Sequence, residues 1–349
     1  MPAVSAPAKV LVTGANGFLA VWVVRTLLEQ GYSVRGTVRS AKKGEHVRAL
    51  FGSYGNKLEL VVVEDITKAG AFDEAVKGVD VVEHTASPWR YSASEPNDFI
   101  IPAVKGTVGV LESIRKHAPS VKRVIITASM ASVLESFGKN DPVIRYDETS
   151  WNNSVLVELE KNPLKLLPVQ WYCASKMLAE KAAWDFVEEH KSEINFDLTV
   201  LNPPYIYGPV LDEVPSPEKL NQSLSELYNI MIQSDATTPY PEYANGWIDV
   251  RDAALAHVLA ASTPAAGGNR FIIAAGTYHF QEILDTANAI NPPIVRNLVK
   301  GTPGTGREVS ANWTLDTSKV ERVLGIKWRP LQETIADTLA DWKQKGFAA

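Results

Sequence analysis

Cysteine is almost absent from this sequence, and so are the long apolar runs of membrane proteins. Cys173 is the single cysteine among 349 residues, which excludes an intrachain disulfide and favours a reducing compartment. No uncharged apolar stretch approaches the roughly 18 residues that a transmembrane helix needs. The first residues show no basic-then-apolar leader. We therefore expect a cytoplasmic protein that does not enter a membrane.

The sequence also lacks a charge excess and the usual metal or hydrolase patterns. It has 35 Lys and Arg against 40 Asp and Glu, a formal net charge of -5, which gives no reason to expect nucleic acid or an anionic membrane as partner. Its 6 histidines show no metal-ligand spacing. A Gly-x-Ser-x-Gly nucleophile turn is missing too. We expect no metal, and a small molecule as the partner.

What is present is an alternation of short β-branched runs with amphipathic segments. Strand-like runs are "KVLVTG", "SVRGTV", "LELVVVED", "VDVVEHTAS", "KRVIITAS" and "FDLTVLN". Helix-like segments between them include "FLAVWVVRTLLEQG", "AFDEAVKG" and a run near 171–190. Nearly continuous apolar strands separated by helices predict an α/β fold, a doubly wound parallel Rossmann sheet covered on both faces.

The texture of the chain changes after Asn202, where prolines and polar residues crowd together. The strand "NRFIIAA" looks like a return to the main sheet, and the C-terminal stretch reads as two amphipathic helices. We expect a nucleotide-binding domain over 1–205, to which 248–274 returns, and a smaller substrate-binding lobe over 206–247 and 275–349.

The stretch "VTGANGFLA" resembles the turn of a dinucleotide site. Gly14 suits a strand-to-helix turn with positive φ, and Gly17 allows a pyrophosphate to approach the backbone. A helix that starts near Phe18 offers free N–H groups to phosphate. Ala20 replaces the usual third glycine and weakens the pattern without abolishing it. We expect Gly14, Asn16, Gly17, Phe18 and Leu19 to bind a cofactor; a tight turn that binds nothing is the alternative.

The residues at the end of the second strand predict which dinucleotide is bound. NAD sites carry an acidic residue about 20 positions after the glycines, but 30–44 contains no Asp or Glu. Arg39 stands where the strand ends, and Arg35 shares its strand face. A guanidinium suits a 2′-phosphate, with Lys43 as a second cation. NADPH is therefore favoured over NADH, and a solvated basic loop is the alternative.

Tyr172 and Lys176 lie four apart in "WYCASKMLAE", hence on one helix face. A neighbouring ammonium, helped by a cationic nicotinamide, favours phenolate and lowers the tyrosine pKa. Tyrosine can then give a proton to a carbonyl oxygen. Ser129, at the end of the fifth strand, is placed to hydrogen-bond the same oxygen. Cys173 is expected to be a small buried helix residue.

Several motifs in order resemble the extended short-chain dehydrogenases/reductases. They are "TGANGFLA", "HTASP", "ITAS", "YCASK", "LNPPYIYGP" and "WIDVRDAA". The match covers nearly the whole chain. "YSVRGTVRSAKK" and "DETSWN" are most similar to the dihydroflavonol-reductase-like branch, which includes fungal NADPH-dependent carbonyl reductases acting on aldehydes, ketones and methylglyoxal.

The resemblance implies roles for further residues. Ser129, Tyr172 and Lys176 would form the catalytic triad, and Tyr172 and Lys176 would also contact the cofactor. Other implied cofactor contacts are Arg39, Lys43, Asp65, Ile66, Thr85, Ala86, Ile206 and Ser223. The implied substrate pocket holds Trp89, Met130, Tyr205 and Trp247; ordinary core packing is the alternative for the tryptophans.

These features predict an NADPH-dependent carbonyl reductase, with Tyr172 as the proton donor. A sugar-nucleotide epimerase or dehydratase would use the same Tyr and Lys, but should carry several cations in the second lobe. Lys219 is the one such residue between 203 and 246. A third alternative is an NADP-sensing protein without chemistry. A homodimer through the helix near 98–117 and the Tyr172 helix is as credible as a monomer.

Overall fold

The computed structural model describes residues 3–87, 94–135, 143–233, 244–305 and 313–349. In chain order its strands are β1 (Lys9–Thr13), β2 (Ser33–Val38), β3 (Leu58–Val62), β4 (Val81–His84), β5 (Arg123–Thr127), β6 (Ile144–Tyr146), β7 (Asp197–Asn202), β8 (Tyr205–Tyr207), β9 (Asn245–Asp249), β10 (Asn269–Ile272), β11 (Gly276–Tyr278) and β12 (Trp313–Leu315).

The α-helices are α1 (Phe18–Glu29), α2 (Glu45–Leu50), α3 (Asn97–His117), α4 (Asn153–Lys161), α5 (Pro168–Glu189), α6 (Gln222–Tyr228), α7 (Val250–Ser262), α8 (Phe280–Asn288), α9 (Ser318–Leu324) and α10 (Leu331–Gln344). A π-helical turn, Asn229–Gln233, extends α6. Within the described ranges, none of these helices is long and apolar enough to cross a membrane.

Seven strands form the main sheet in the order β10-β7-β5-β4-β1-β2-β3. Every neighbouring pair in it is parallel, which confirms the predicted doubly wound fold. The order reverses between β1 and β4. In open α/β sheets a ligand binds beyond the carboxyl ends of the strands at such a reversal.

The two faces of the sheet are covered by different helices. Val10 and Val12 of β1 belong to one buried cluster with α1 and α7, whereas Leu11 belongs to a second cluster with α3 and α5. This alternation follows from the period of two along a strand. Because both faces of the inner strands are buried, these strands are mostly apolar, as the sequence pattern indicated.

Two small sheets lie beside the main one. β11-β9-β8 form one and β12-β6 the other. β10 pairs with β7 in the main sheet, so "NRFIIAA" returns to it as expected. The two C-terminal helices expected from the sequence are α9 and α10.

The prediction of a helix for "AFDEAVKG" is wrong. Residues 71–78 form hydrogen-bonded turns, for example Val76 N to Phe72 O at 3.0 Å. Gly70 and Gly78 enclose the segment with φ of 73° and 68°. The buried Phe72 and Val76 side chains pack into the core beneath these turns.

Candidate active site

The glycine turn joins β1 to α1 and leaves backbone donors at the helix start. Gly14 has φ 68°, and its N–H donates to Thr37 Oγ1 at 3.0 Å. Gly17 is the N-cap of α1 and supplies no side chain to satisfy the first amides of the helix. Ala20 is buried against the core, which is the close packing that a third glycine would otherwise allow.

A cleft of about 610 Å³ opens beside this turn. It gathers nine of the expected cofactor residues, namely Gly14, Asn16, Gly17, Arg39, Lys43, Asp65, Ile66, Thr85 and Ala86. They come from the ends of β1 to β4, the reversal point of the sheet. Its lining also includes residues that the sequence did not single out, namely Thr37, Val38, Val63, Glu64, Thr67, Ser87 and Pro102.

Six other expected cofactor residues do not line that cleft; Tyr172 and Lys176 are two of them, and the other four lie elsewhere. Phe18 and Leu19 open α1; Phe18 is buried, and Leu19 packs against the core. Ile206 lies in the middle of β8, paired with Ile248. Ser223 lies in the first turn of α6. The structure thus brings the glycine-turn and basic residues together and leaves these four outside the cleft.

Arg35 and Arg39, which the sequence pattern places on one strand face, have different surroundings in the structure. Arg35 binds Glu59 at 3.0 Å and donates to the carbonyl oxygens of Ala75 and Lys77. Its guanidinium is therefore committed to the fold. Arg39 and Lys43 are exposed, and neither enters an ion pair with any residue that the structure describes. These two side chains remain available to an anion.

Ser129 and Tyr172 meet at the carboxyl end of β5. Ser129 follows the strand in extended conformation and its Oγ accepts the Ala131 amide at 3.1 Å. Its hydroxyl proton remains available for the hydrogen bond to the Tyr172 side chain. Lys176 Nζ lies 5.8 Å from the centroid of the Tyr172 ring. The three side chains therefore lie together: Tyr172 and Lys176 share a helix face, and Ser129 reaches Tyr172 from the end of β5.

The pKa of Tyr172 is shifted in the direction opposite to the sequence expectation. Burial raises it to about 12, and the hydrogen bond from Ser129 opposes that rise. Loss of solvation is the largest cause of the shift, and it outweighs the hydrogen bond from Ser129. The phenol therefore keeps its proton at neutral pH, which suits a proton donor.

Lys176 reaches the wall of the cleft through Ser87. Its Nζ donates to Ser87 Oγ at 3.1 Å. Burial lowers the Lys176 pKa to about 8, and the charge of Glu180 opposes that shift. His84, at the end of β4, accompanies it: burial and the Lys176 charge lower the His84 pKa to about 3. His84 is buried at the end of its strand and is neutral in the working range.

The expected substrate residues are divided. Tyr205 and Trp247 are direct partners in the β8–β9 register. Tyr205 also hydrogen-bonds Glu226, whose pKa is raised by burial. Met130 is buried with Tyr146 and Trp313. Trp89 lies outside the described residues.

Two residues of the site escaped the sequence reasoning. Ser87 stands two positions after Thr85 in the quoted "HTASP" motif, so its polarity beside expected cofactor contacts was the available signal. Glu180 lies four residues after Lys176, and its carboxylate is buried. An acidic residue one helical turn beyond a lysine is typical of an ordinary ion pair on a helix surface. The sequence pattern therefore gave no sign that Glu180 is buried.

Comparisons with known proteins agree with this geometry. The model of the "NAD dependent epimerase/dehydratase family" matches residues 10–276. The chain is 39% identical to the NADPH-dependent methylglyoxal reductase GRE2 of Saccharomyces cerevisiae over 337 residues, covering 95% of this chain and 96% of that protein. It is 38% identical to the ketoreductase azaE of Aspergillus niger over 339 residues, with 95% and 96% covered.

A solved structure extends the similarity to three dimensions. The crystal structure of yeast methylglyoxal/isovaleraldehyde reductase Gre2 complexed with NADPH superimposes with a TM-score of 0.87 at 38% identity. It covers 97% of this chain and 99% of its own chain. The fold is thus shared over nearly the full length of both proteins.

Proposed function

This chain belongs to the NAD dependent epimerase/dehydratase family, the extended short-chain dehydrogenases/reductases, and from that premise we propose that it is an NADPH-dependent carbonyl reductase. It would convert an aldehyde or ketone to an alcohol. The observation that carries this proposal is the meeting of Ser129, Tyr172 and Lys176, where Lys176 hydrogen-bonds Ser87 in the wall of a dinucleotide-sized cleft. Its relatives named reductases support the same activity.

The residues present fit NADPH. A Cβ on Gly14 would stand 3.2 Å from the Ala86 Cβ, so the turn has the close packing of a phosphate-binding loop. The unsatisfied amides after Gly17 would meet the pyrophosphate. Arg39 and Lys43 would hold the 2′-phosphate. Asp65 and Ile66 would border the adenine, and Thr85 and Ala86 the middle of the cofactor.

Three side chains of the protein each have a separate role in the proposed reduction. NADPH, when bound, supplies the hydride to the carbonyl carbon. Tyr172 gives its phenolic proton to the carbonyl oxygen, and its raised pKa keeps that proton in place beforehand. Ser129 donates a hydrogen bond to the same oxygen as negative charge develops there. The Lys176 ammonium then stabilises the phenolate left on Tyr172.

The expected division of the chain is part of the proposal. Residues 1–205, with 248–274, would bind NADPH; 206–247 and 275–349 would bind the substrate. Ile206 and Ser223 would contact the cofactor from that lobe, and Tyr205, Trp247 and Met130 would face the carbonyl compound. The return of β10 to the main sheet supports this division.

Light scattering distinguishes a monomer from a homodimer through α3 and α5, and cell fractionation tests cytoplasmic localisation.

Absorbance at 340 nm with NADPH or NADH over a panel of carbonyl compounds tests the activity. The panel holds small dicarbonyls, branched aldehydes, aryl ketones and β-keto esters. We expect consumption of NADPH in preference to NADH with at least one of these classes. Tight NADPH binding without consumption across the panel would contradict the reductase and favour an epimerase or a sensor.

A further inference from the structure

Behind the catalytic residues lies a chain of buried polar contacts that the proposed mechanism does not use. Glu180 is 1% exposed and lies on α5, one turn beyond Lys176. Its Oε2 accepts a hydrogen bond from Asn202 Nδ2 at 2.9 Å. The same Asn202 amide donates to the Ser129 backbone oxygen at 3.1 Å. One carboxylate is thereby connected to the backbone of the catalytic serine.

Glu180 also faces Lys176. Residues four apart on a helix have Cβ atoms about 5–6 Å apart, and both line one small cavity of about 20 Å³, room for a single water. Among the described residues that line this cavity, Glu180 supplies the one carboxylate. The space is too small for a substrate, so Glu180 does not contact the reacting atoms.

The carboxylate is held rigidly from its other side. Arg270 Nε on β10 donates to Glu180 Oε1 at 2.5 Å. The Arg270 guanidinium lies 3.6 Å from the ring centroid of Trp151 and donates to the Glu148 and Ser150 carbonyls at 2.9 Å. So many fixed contacts leave Glu180 little freedom to move.

We propose that Glu180 is a positioning residue for this site, which keeps Lys176 charged and, through Asn202, holds Ser129 at the end of β5. A partly buried ammonium needs a nearby negative charge to remain protonated. The inference rests on the proposed reductase function for its catalytic consequence. Its electrostatic part concerns the protein alone and can be measured without turnover.

Among the residues that the structure describes, few charged or titratable groups surround Lys176. His84 on β4 is neutral because burial lowers its pKa to about 3. Tyr172 on α5 is neutral because burial raises its pKa to about 12. Arg270 on β10 lies beyond Glu180 and opposes its effect. The direction of the Glu180 influence on the Lys176 pKa is upward, which agrees with the geometry.

The test is competitive labelling of the cofactor-free protein with trace acetic anhydride between pH 6 and 10. The rate at Lys176, measured by mass spectrometry of its peptide, follows the fraction of neutral amine. We expect a midpoint near pH 8 in the unchanged protein. Glu180→Gln keeps the size of the side chain and removes its charge, so its midpoint should fall by about one unit or more.

Matched variants separate this effect from general damage. Glu83→Gln removes another fully buried carboxylate, which binds His257 at 2.6 Å on the opposite face of the sheet, and should leave the Lys176 midpoint in place. Glu180→Asp keeps the charge and should restore part of the shift. Arg270→Gln should move the midpoint upward, and it replaces Glu180→Gln as the deciding variant if that protein does not fold.

Turnover gives the second readout. In folded Glu180→Gln we expect kcat to fall about tenfold or more, with an unchanged KM for the carbonyl compound, because the residue does not touch substrate. An unchanged labelling midpoint in Glu180→Gln, or in Arg270→Gln where that variant decides, would overturn the inference. That result is independent of whether any carbonyl compound is reduced, so it is distinguishable from failure of the proposed function.

Discussion

Gly14 and Ala86 pack directly against each other in the wall of the cleft. Gly14 has φ 68°, and a Cβ built on it would lie 3.2 Å from the Ala86 Cβ. The Ala86 amide in turn donates to Thr13 Oγ1 at 3.0 Å. The glycine turn after β1 and the segment after β4 are therefore one unit, and a change in either alters the shape of the cleft.

Gly14→Ala should weaken NADPH binding as well as stability. The left-handed backbone costs an alanine about 1–2 kcal/mol, and the added methyl group displaces Ala86. We expect this crowding to lower the affinity for NADPH about tenfold. Gly78→Ala is the matched control, with the same φ of 68° and no heavy atom within 4 Å. Fluorescence titration should show lost affinity in the first variant alone; equal affinities would contradict this account.

Arg39→Gln should reduce the preference for NADPH. Removal of a charge-assisted hydrogen bond to phosphate costs about 1.5–3 kcal/mol, hence roughly a tenfold to hundredfold rise in the KM for NADPH. NADH has no 2′-phosphate, so its KM should stay constant. Lys42→Gln is the control, because Lys42 is a neighbouring exposed lysine that does not line the cleft. Equal rises for both cofactors in Arg39→Gln would refute the assignment.

Ser129→Ala should lower kcat by roughly 100-fold to 1,000-fold, because a donor to the developing oxyanion is lost. Ser132→Ala is the comparison. Its Oγ is buried and has no hydrogen-bond partner among the described residues, so its removal should leave the rate unchanged. Steady-state kinetics with thermal melting of both proteins checks this, and similar rates in the two would argue against a role for Ser129.

His84 should make the protein less stable in mild acid. Burial lowers its folded pKa from 6.5 to about 3. Below pH 6.5 the unfolded chain takes up a proton that the folded chain refuses, so the free energy of unfolding falls as the pH drops toward 3. The contribution is at most about 1.4 kcal/mol per pH unit. His84→Asn should show a shallower fall in urea unfolding between pH 6 and 4; an unchanged slope would exclude His84 as the cause.

The sequence predicted the parts of the site that depend on local spacing. Gly14 and Gly17 define the turn by themselves, and Tyr172 and Lys176 share a helix face wherever the helix lies. The position of Ser129 followed from its place at a strand end. The parallel sheet was equally predictable, because strands buried on both faces leave continuous apolar runs.

Features that depend on distant contacts were missed. Arg35 is held by Glu59 and by carbonyls of the turns at 75–77, which no pattern near Arg35 indicates. The direction of the Tyr172 pKa shift depends on burial by the folded chain. Glu180 becomes a buried partner of Asn202 and Arg270 only when β7 and β10 lie beside α5. Each miss is a tertiary effect that overrides a correct local pattern.

The most direct test of the whole account compares the unchanged protein with Tyr172→Phe on its best carbonyl substrate. NADPH consumption at 340 nm is the measurement, with NADPH binding followed in parallel by fluorescence. We expect binding to persist in Tyr172→Phe while kcat falls at least about 100-fold, since a positioned proton donor contributes that much or more. Retention of full turnover by Tyr172→Phe would contradict the central claim that this phenol protonates the substrate.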